Sequence, residues 1–267
     1  MSEIEILMVP DLRSSVVKAV RLLEARCDVG LLLLDFPETL EIKLSKLADY
    51  ETSYEELITM IRRERILPEP LESWTYLAEP ILRALPRLRL VRPELEIRCH
   101  VPAEAPFSYS EDSLEIARLA YRAKATGKID AEEWRHTIKR VLDRTRRFFG
   151  EAVSRILLGT PDRDAVCLAG LDAFRLKQRI GKYRRNVVVK TVEPFYRRTP
   201  LETLYSLLSR GDLSDDRLSA LALAYVEYLY QYVLRSRHRD EAYNRWVAEK
   251  TLRPKQATRS AQQMLDY

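Results

Sequence analysis

Four carboxylates stand where an α/β protein places its chemistry. Asp11 follows the apolar run IEILMV at 4–9, Asp35 and Glu38 follow GLLLL at 30–34, and Asp172 follows AVCLAGL at 165–171. In open α/β sheets ligands bind beyond the carboxyl ends of the strands, so carboxylates there can gather into an acid/base or cation-binding site. The competing reading is local: Asp11 and Asp172 also suit helix N-caps, and Asp35 with Glu38 suits a solvated turn. No lysine joins these positions, and of the three histidines only His100 falls at a strand end. A lone strand histidine is most simply a hydrogen-bonded one; His136 and His238 read as helix-surface residues.

The motifs of several common enzymes are absent. The turn after the first apolar run reads VPDLRSS and holds no glycine; neither GxGxxG nor GxxxxGK[ST] occurs, so the sequence offers no phosphate cradle. There is no GxSxG elbow. Cys27, Cys99 and Cys167 form no CxxC, and no His–Cys spacing matches a zinc site. The expectation is buried free thiols, no metal and no cofactor.

The strongest signal of another kind is basic. Between Arg175 and Arg198 lie nine cations, Arg175, Lys177, Arg179, Lys182, Arg184, Arg185, Lys190, Arg197 and Arg198, against one acid, Glu193. Tyr183, Phe195 and Tyr196 are interleaved. Arginine forks match phosphates and aromatic rings stack on bases, so this stretch fits nucleic acid or an acidic protein surface. A solvated face of an Arg-rich protein gives the same pattern.

The elements that must position these residues follow from periodicity. Strand, helix and strand within the first 37 residues make a βαβ unit. The run 28–38, DVGLLLLDFPE, reads as a central strand buried on both faces. Helical signals fill 40–92; residues 71–90 read as one or two helices, the later one kinked or ended near Pro86. LEIRCHV at 95–101 is a third strand, 164–171 a fourth and NVVVKTV at 186–192 a fifth. Residues 107–158 carry no strand pattern and read as a helical insertion. The expected fold is α/β, a mainly parallel sheet of about five strands with that insertion and a helical C-terminal region. The division is 1–198 for the α/β domain and 199–267 for the helical region with its polar tail. Within the latter, Tyr225, Tyr228, Tyr230 and Tyr232 form an aromatic helix suited to a core or to a partner.

The composition, 46% hydrophobic and 32% charged with seven glycines in 267 residues, is that of a globular chain. No apolar run is long enough for a membrane span and no secretory leader pattern is present, so a cytoplasmic location is expected. The dominance of Arg, Glu and Leu resembles thermophile usage.

The order of elements resembles the TraB and erythromycin-esterase-like superfamily over about residues 3–192. The matching features are a short strand and helix, then DVGLLLLDFPE, a helical region, LEIRCHVP, a long helical insertion and DAVCLAGLDAF. The family's histidines in the first turn and after the fourth strand have no counterpart in VPDLRSS or in Gly170-Leu171-Asp172-Ala173. The resemblance therefore implies a degenerate hydrolase-like scaffold that binds a macromolecule without catalysis, through the basic stretch. The alternatives are a hydrolase using Asp11, Asp35, Glu38 and Asp172, or a structural subunit of a multiprotein complex or homo-oligomer.

Overall fold

A computed structural model describes residues 3–26, 28–160, 163–184 and 186–252. Arg185 and Cys27, named above, and the polar tail from residue 253 lie outside the described residues. The chain runs β1 (Ile4–Met8), α1 (Arg13–Glu24), β2 (Leu31–Pro37), α2 (Glu41–Ala48), α3 (Tyr54–Arg63), α4 (Glu72–Val91) and β3 (Glu96–Val101). It continues with α5 (Ala105–Thr126), α6 (Ala131–Gly159), β4 (Ala165–Ala169), α7 (Ala173–Ile180) and β5 (Val187–Thr191). Last come α8 (Pro200–Leu208), α9 (Asp215–Gln231) and α10 (Arg239–Leu252).

The five strands form one all-parallel sheet in the order β3-β2-β4-β1-β5. The apolar runs explain why. Leu31 and Leu33 point into one core with Phe149, Val153 and Ile156 of α6 and Leu176 and Ile180 of α7. Leu32 and Leu34 point into the other, with Ala19 and Leu23 of α1, Leu44 of α2, Leu57 of α3 and Leu82 and Leu85 of α4. A strand apolar at every position is one buried on both faces.

Crossovers from β1 and β2 run over the first face, through α1 and through α2–α4. Those from β3 and β4 run over the second, through α6 and α7. Direction along the sheet changes together with face, so the crossovers share one hand, as parallel βαβ units do. The neighbours β2 and β4 consequently send their carboxyl-end connections to opposite faces, which makes the gap between them a topological switch point.

Local signals set most boundaries. Ser53 and Glu56 form a reciprocal capping box at α3, with Glu56 N–H to Ser53 Oγ at 3.2 Å and Ser53 N–H to Glu56 Oε2 at 2.8 Å. Thr199 and Glu202 do the same for α8. Asp130 caps α6 by accepting the Glu133 N–H at 3.0 Å, and Gly127 ends α5 at a φ of 71° that favours glycine. Of the readings open for 71–90, the single helix is found: α4 has Pro80 and Pro86 inside it. Its buried row of Ala78, Ile81, Leu82, Ala84, Leu85 and Leu88 packs the length of the helix against the core, which outweighs the hydrogen bonds the prolines remove.

The chain divides into two compact units, 1–117 with 137–196, and 118–136 with 197–267. The tip of the α5–α6 hairpin thus belongs with the C-terminal helices. In the second unit the tyrosines of α9 build a core: Tyr228 stacks on Tyr232 and meets Trp246 edge-on at 5.4 Å, while Tyr225 meets Trp134 at 6.2 Å. Among the described residues no helix is long and apolar enough to cross a membrane.

Candidate active site at the carboxyl ends of β2 and β4

The ladder between β2 and β4 stops early. It pairs Leu31 with Ala165, Leu32 with Val166 and Leu33 with Cys167, and goes no further. On the other side of β4 pairing with β1 continues to Met8–Ala169, and the Val9 N–H reaches the Ala169 carbonyl at 2.8 Å. A register irregularity between Leu34 and Pro37 turns β2 away. Carbonyls alternate direction along a strand. With Ala169 serving β1, the Leu168 carbonyl faces the gap that β2 has left.

His100 fills that gap. It alternates with Ile97 and Cys99, which face α1–α4, and so points to the α6–α7 side of the sheet. From β3 it reaches across β2 and donates Nε2–H to the Leu168 carbonyl at 3.0 Å. The ring is 3% exposed, and its Nδ1 has no hydrogen-bond partner.

Asp35 stands in step with Leu31 and Leu33 and therefore on the same side as His100. The residue is exposed to solvent, with protein packed around its carboxyl. Burial raises its pKa above the ordinary carboxyl range. The field of His100 and the Gly170 backbone N–H pull it back, while Asp11 and Asp172 push it further up. Two of the other three carboxylates singled out in the sequence thus act on Asp35. Asp172 stands at the N-cap of α7 without a side-chain capping bond.

Glu38 does not join them. It pairs with Arg155 of α6 and accepts the Ala103 N–H at 3.3 Å, tying the β2 and β3 connections to the hairpin. Two residues join that sequence reasoning did not name. Tyr109, in the second turn of α5, is 39% exposed and meets Phe148 edge-on at 5.7 Å. Its phenol is held protonated by burial, with Asp35, Asp172 and Asp112 adding to the effect. The Gly170 backbone N–H acts on the Asp35 carboxyl and favours its charged form. Nothing in a helical pattern distinguishes Tyr109, whereas His100 was legible as a strand-end histidine. Among the described residues no group of three His, Cys, Asp or Glu side chains has metal-holding geometry.

The basic stretch is spread over several tasks. Arg175 lies over the Phe149 ring at 4.2 Å. Arg184 donates to the Thr160 carbonyl, and Lys190 pairs with Glu5 at 2.9 Å. Arg197 and Arg198, in the second unit, lie over Trp246 at 5.4 Å and against Ser206 Oγ at 2.9 Å. Lys177, Arg179 and Lys182 remain exposed and make no ion pair with a described residue. Cys99 and Cys167 are buried free thiols whose pKa values burial drives up, so neither is a thiolate nucleophile.

No protein-family model matches the chain, and neither a curated protein nor a solved structure does.

Proposed function

We propose that this protein is an acid–base enzyme of the hydrolase class, working at the cleft between the carboxyl ends of β2 and β4. The observation that carries the reading is that Asp11, Asp172 and the buried His100 all act on Asp35, beside the point where β2 and β4 stop pairing at the switch point of the sheet. Hydrolysis without a metal or a covalent nucleophile needs one group that gives a proton to the leaving atom and one that takes a proton from water. Asp35, whose raised pKa keeps it protonated to higher pH than an ordinary carboxyl, is the donor. Asp172 and Asp11, on the turns facing it, are the candidates to draw a proton from water. The resemblance to the TraB and erythromycin-esterase-like superfamily, read this way, is one of scaffold with an acidic centre kept and the turn histidines replaced.

The test is a panel of chromogenic esters, phosphoesters, glycosides and amides, hydrolysed by the wild type and by Asp35→Asn. Loss of the donor proton is expected to slow the reactive class by about 10²–10⁴-fold. The wild-type rate should fall as pH rises through the raised Asp35 value. Equal rates in the two proteins across the panel, including no turnover by either, overturn the reading.

A second reading keeps the basic surface for nucleic acid. The observation favouring it is that Lys177, Arg179 and Lys182 are exposed beside Phe174 and Tyr183, themselves 55% and 72% exposed. Its test is the polarisation of a labelled single-stranded oligonucleotide against salt, where a steep loss of affinity is expected.

A further inference from the structure

We propose that α5 is a self-association surface, on which two copies of this chain pack that helix antiparallel about a two-fold axis. The surface is an apolar row on the solvent side of a continuous 22-residue helix. Phe107, Leu114 and Tyr121 follow one another at seven-residue steps, two helical turns apart, and so stand in line. They are 40%, 57% and 69% exposed. The opposite side of α5 carries the buried residues Ile116, Leu119 and Ala123. The row therefore lies away from the buried face and is turned to solvent, where three large side chains in line mark an interaction surface.

The flanking charges select what covers it. Glu111 and Arg118 stand four residues after Phe107 and Leu114, on one flank of the row. The Glu111 side chain is 72% exposed and has Arg144 at 3.3 Å. Arg118 is exposed and bonds to no described residue. The other flank holds Ser110 and Ala117, small side chains that let a second helix approach closely. This pattern is self-complementary in one direction only. With the two Leu114 side chains together and the helices antiparallel, Phe107 meets the partner's Tyr121 and Glu111 meets the partner's Arg118. Each pair forms twice, as a two-fold axis requires. Run in parallel, the same row sets Glu111 against Glu111 and Arg118 against Arg118. Charges beside the seam of paired helices decide their orientation, and here they favour the antiparallel one.

A helix of this length is about 33 Å long, and three layers of side chains make a contact at the small end of specific interfaces. The dimer should accordingly depend on concentration. Neither Asp35 nor Asp172 takes part in it, so the inference is independent of the hydrolase reading.

The experiment is sedimentation equilibrium of the full chain from micromolar to submillimolar concentration, where a monomer–dimer equilibrium is expected. Leu114→Asp puts a charge at the centre of the contact and should leave monomer alone. Arg118→Glu turns two opposite-charge contacts into like-charge ones and should raise the dissociation constant about tenfold. Glu111→Lys combined with Arg118→Glu restores the complementarity and should bring the constant back to within about twofold of wild type. In that double variant Arg144 still has Asp112, also at 3.3 Å. Leu90→Asp, at a residue of α4 that is 71% exposed, is the control and should change nothing. Monomer at every concentration overturns the inference, as does a dimer that survives Leu114→Asp. A dimer unchanged by Arg118→Glu overturns the antiparallel pairing, because parallel helices oppose like charges before and after that change. Recovery in the double variant shows that pairing, not folding, was lost in the single one; failure to recover overturns the inference.

Discussion

The stretch 28–38 passes from one acidic end of the sheet to the other, and the two ends treat their carboxylates in opposite ways. At the amino end Asp28 is gripped by Arg26, whose hydrogen bond holds its pKa down to about 2. Glu5, 5% exposed, has Arg26 and Lys190 both at 2.9 Å. At the carboxyl end Asp35 has a histidine, one backbone N–H and two further acids around it, and its pKa moves up. Composition is alike at the two ends; charge compensation is not. A compensated acid stabilises the fold, whereas an uncompensated one holds interaction energy that only a ligand or a proton can supply.

The largest effect on this contrast is expected from His100→Ala. The change removes a buried ring and its hydrogen bond to the Leu168 carbonyl, which keeps only the weak 3.7 Å contact from the Cys167 thiol. It should cost about 3 kcal/mol in urea unfolding, from the cavity and the lost hydrogen bond together. A loss below about 1 kcal/mol, an ordinary surface effect, would show that His100 does not hold the gap closed. Next is Arg26→Ala at the other end. It leaves buried Glu5 with Lys190 alone and frees Asp28, for an expected loss of about 2 kcal/mol, less than for a buried charge stripped of every partner. If Arg26→Ala proves harmless, the amino end is not the compensated one and the comparison fails.

The parts legible in the sequence were those written in burial. Runs such as LLLL at 31–34 and AVCLA at 165–169 have no polar face to expose, so five strands and a two-layered helical cover followed directly. Parallel pairing follows from helical crossovers. What the sequence did not carry was strand order, and with it the gap between β2 and β4. That gap depends on where pairing stops, and Asp35-Phe36-Pro37 reads equally well as an ordinary strand end. With β2 and β4 neighbours, Asp35 feels the charge of Asp172, whereas Glu38 is paired with Arg155. Tyr109 is positioned by the docking of α5, a tertiary fact without a local signature. The nine cations formed one block in the sequence but serve α7, β5 and the second unit separately, because a linear cluster that crosses several elements need not share a surface.

A pH titration sharpens the comparison with a smaller effect, since each group contributes at most one proton's worth of slope. Asp35 has a folded pKa above its unfolded value. The native state holds its proton more tightly, so the fold loses stability as pH rises from the ordinary carboxyl range through the raised value. Asp28 is the reverse: its stabilisation is complete above the ordinary carboxyl pKa and is lost as pH falls towards about 2. Unfolding free energies measured from pH 3 to 8 should therefore rise relative to wild type at the upper end in Asp35→Asn. In Asp28→Asn they should fall there. The same sign in both variants would mean that the two ends are electrostatically alike.

The smallest effect is expected where the sequence first drew attention. Replacing Lys177, Arg179 and Lys182 together by Glu reverses three charges that are exposed and bonded to no described acid. Lys177 and Arg179 lie in the last turn of α7, where a cation suits the helix dipole, so the reversal should cost about 1 kcal/mol of stability. Hydrolysis should stay at the wild-type level, because the strand-end site has its own acids and borrows no cation from this surface. A fall would show that the two regions share one site. Oligonucleotide binding is the separate readout. If it disappears in the triple variant while hydrolysis persists, the protein has two working surfaces. If it is absent in the wild type as well, these cations serve solubility and the helix end, and the strand-end site is the only centre of chemistry these observations support.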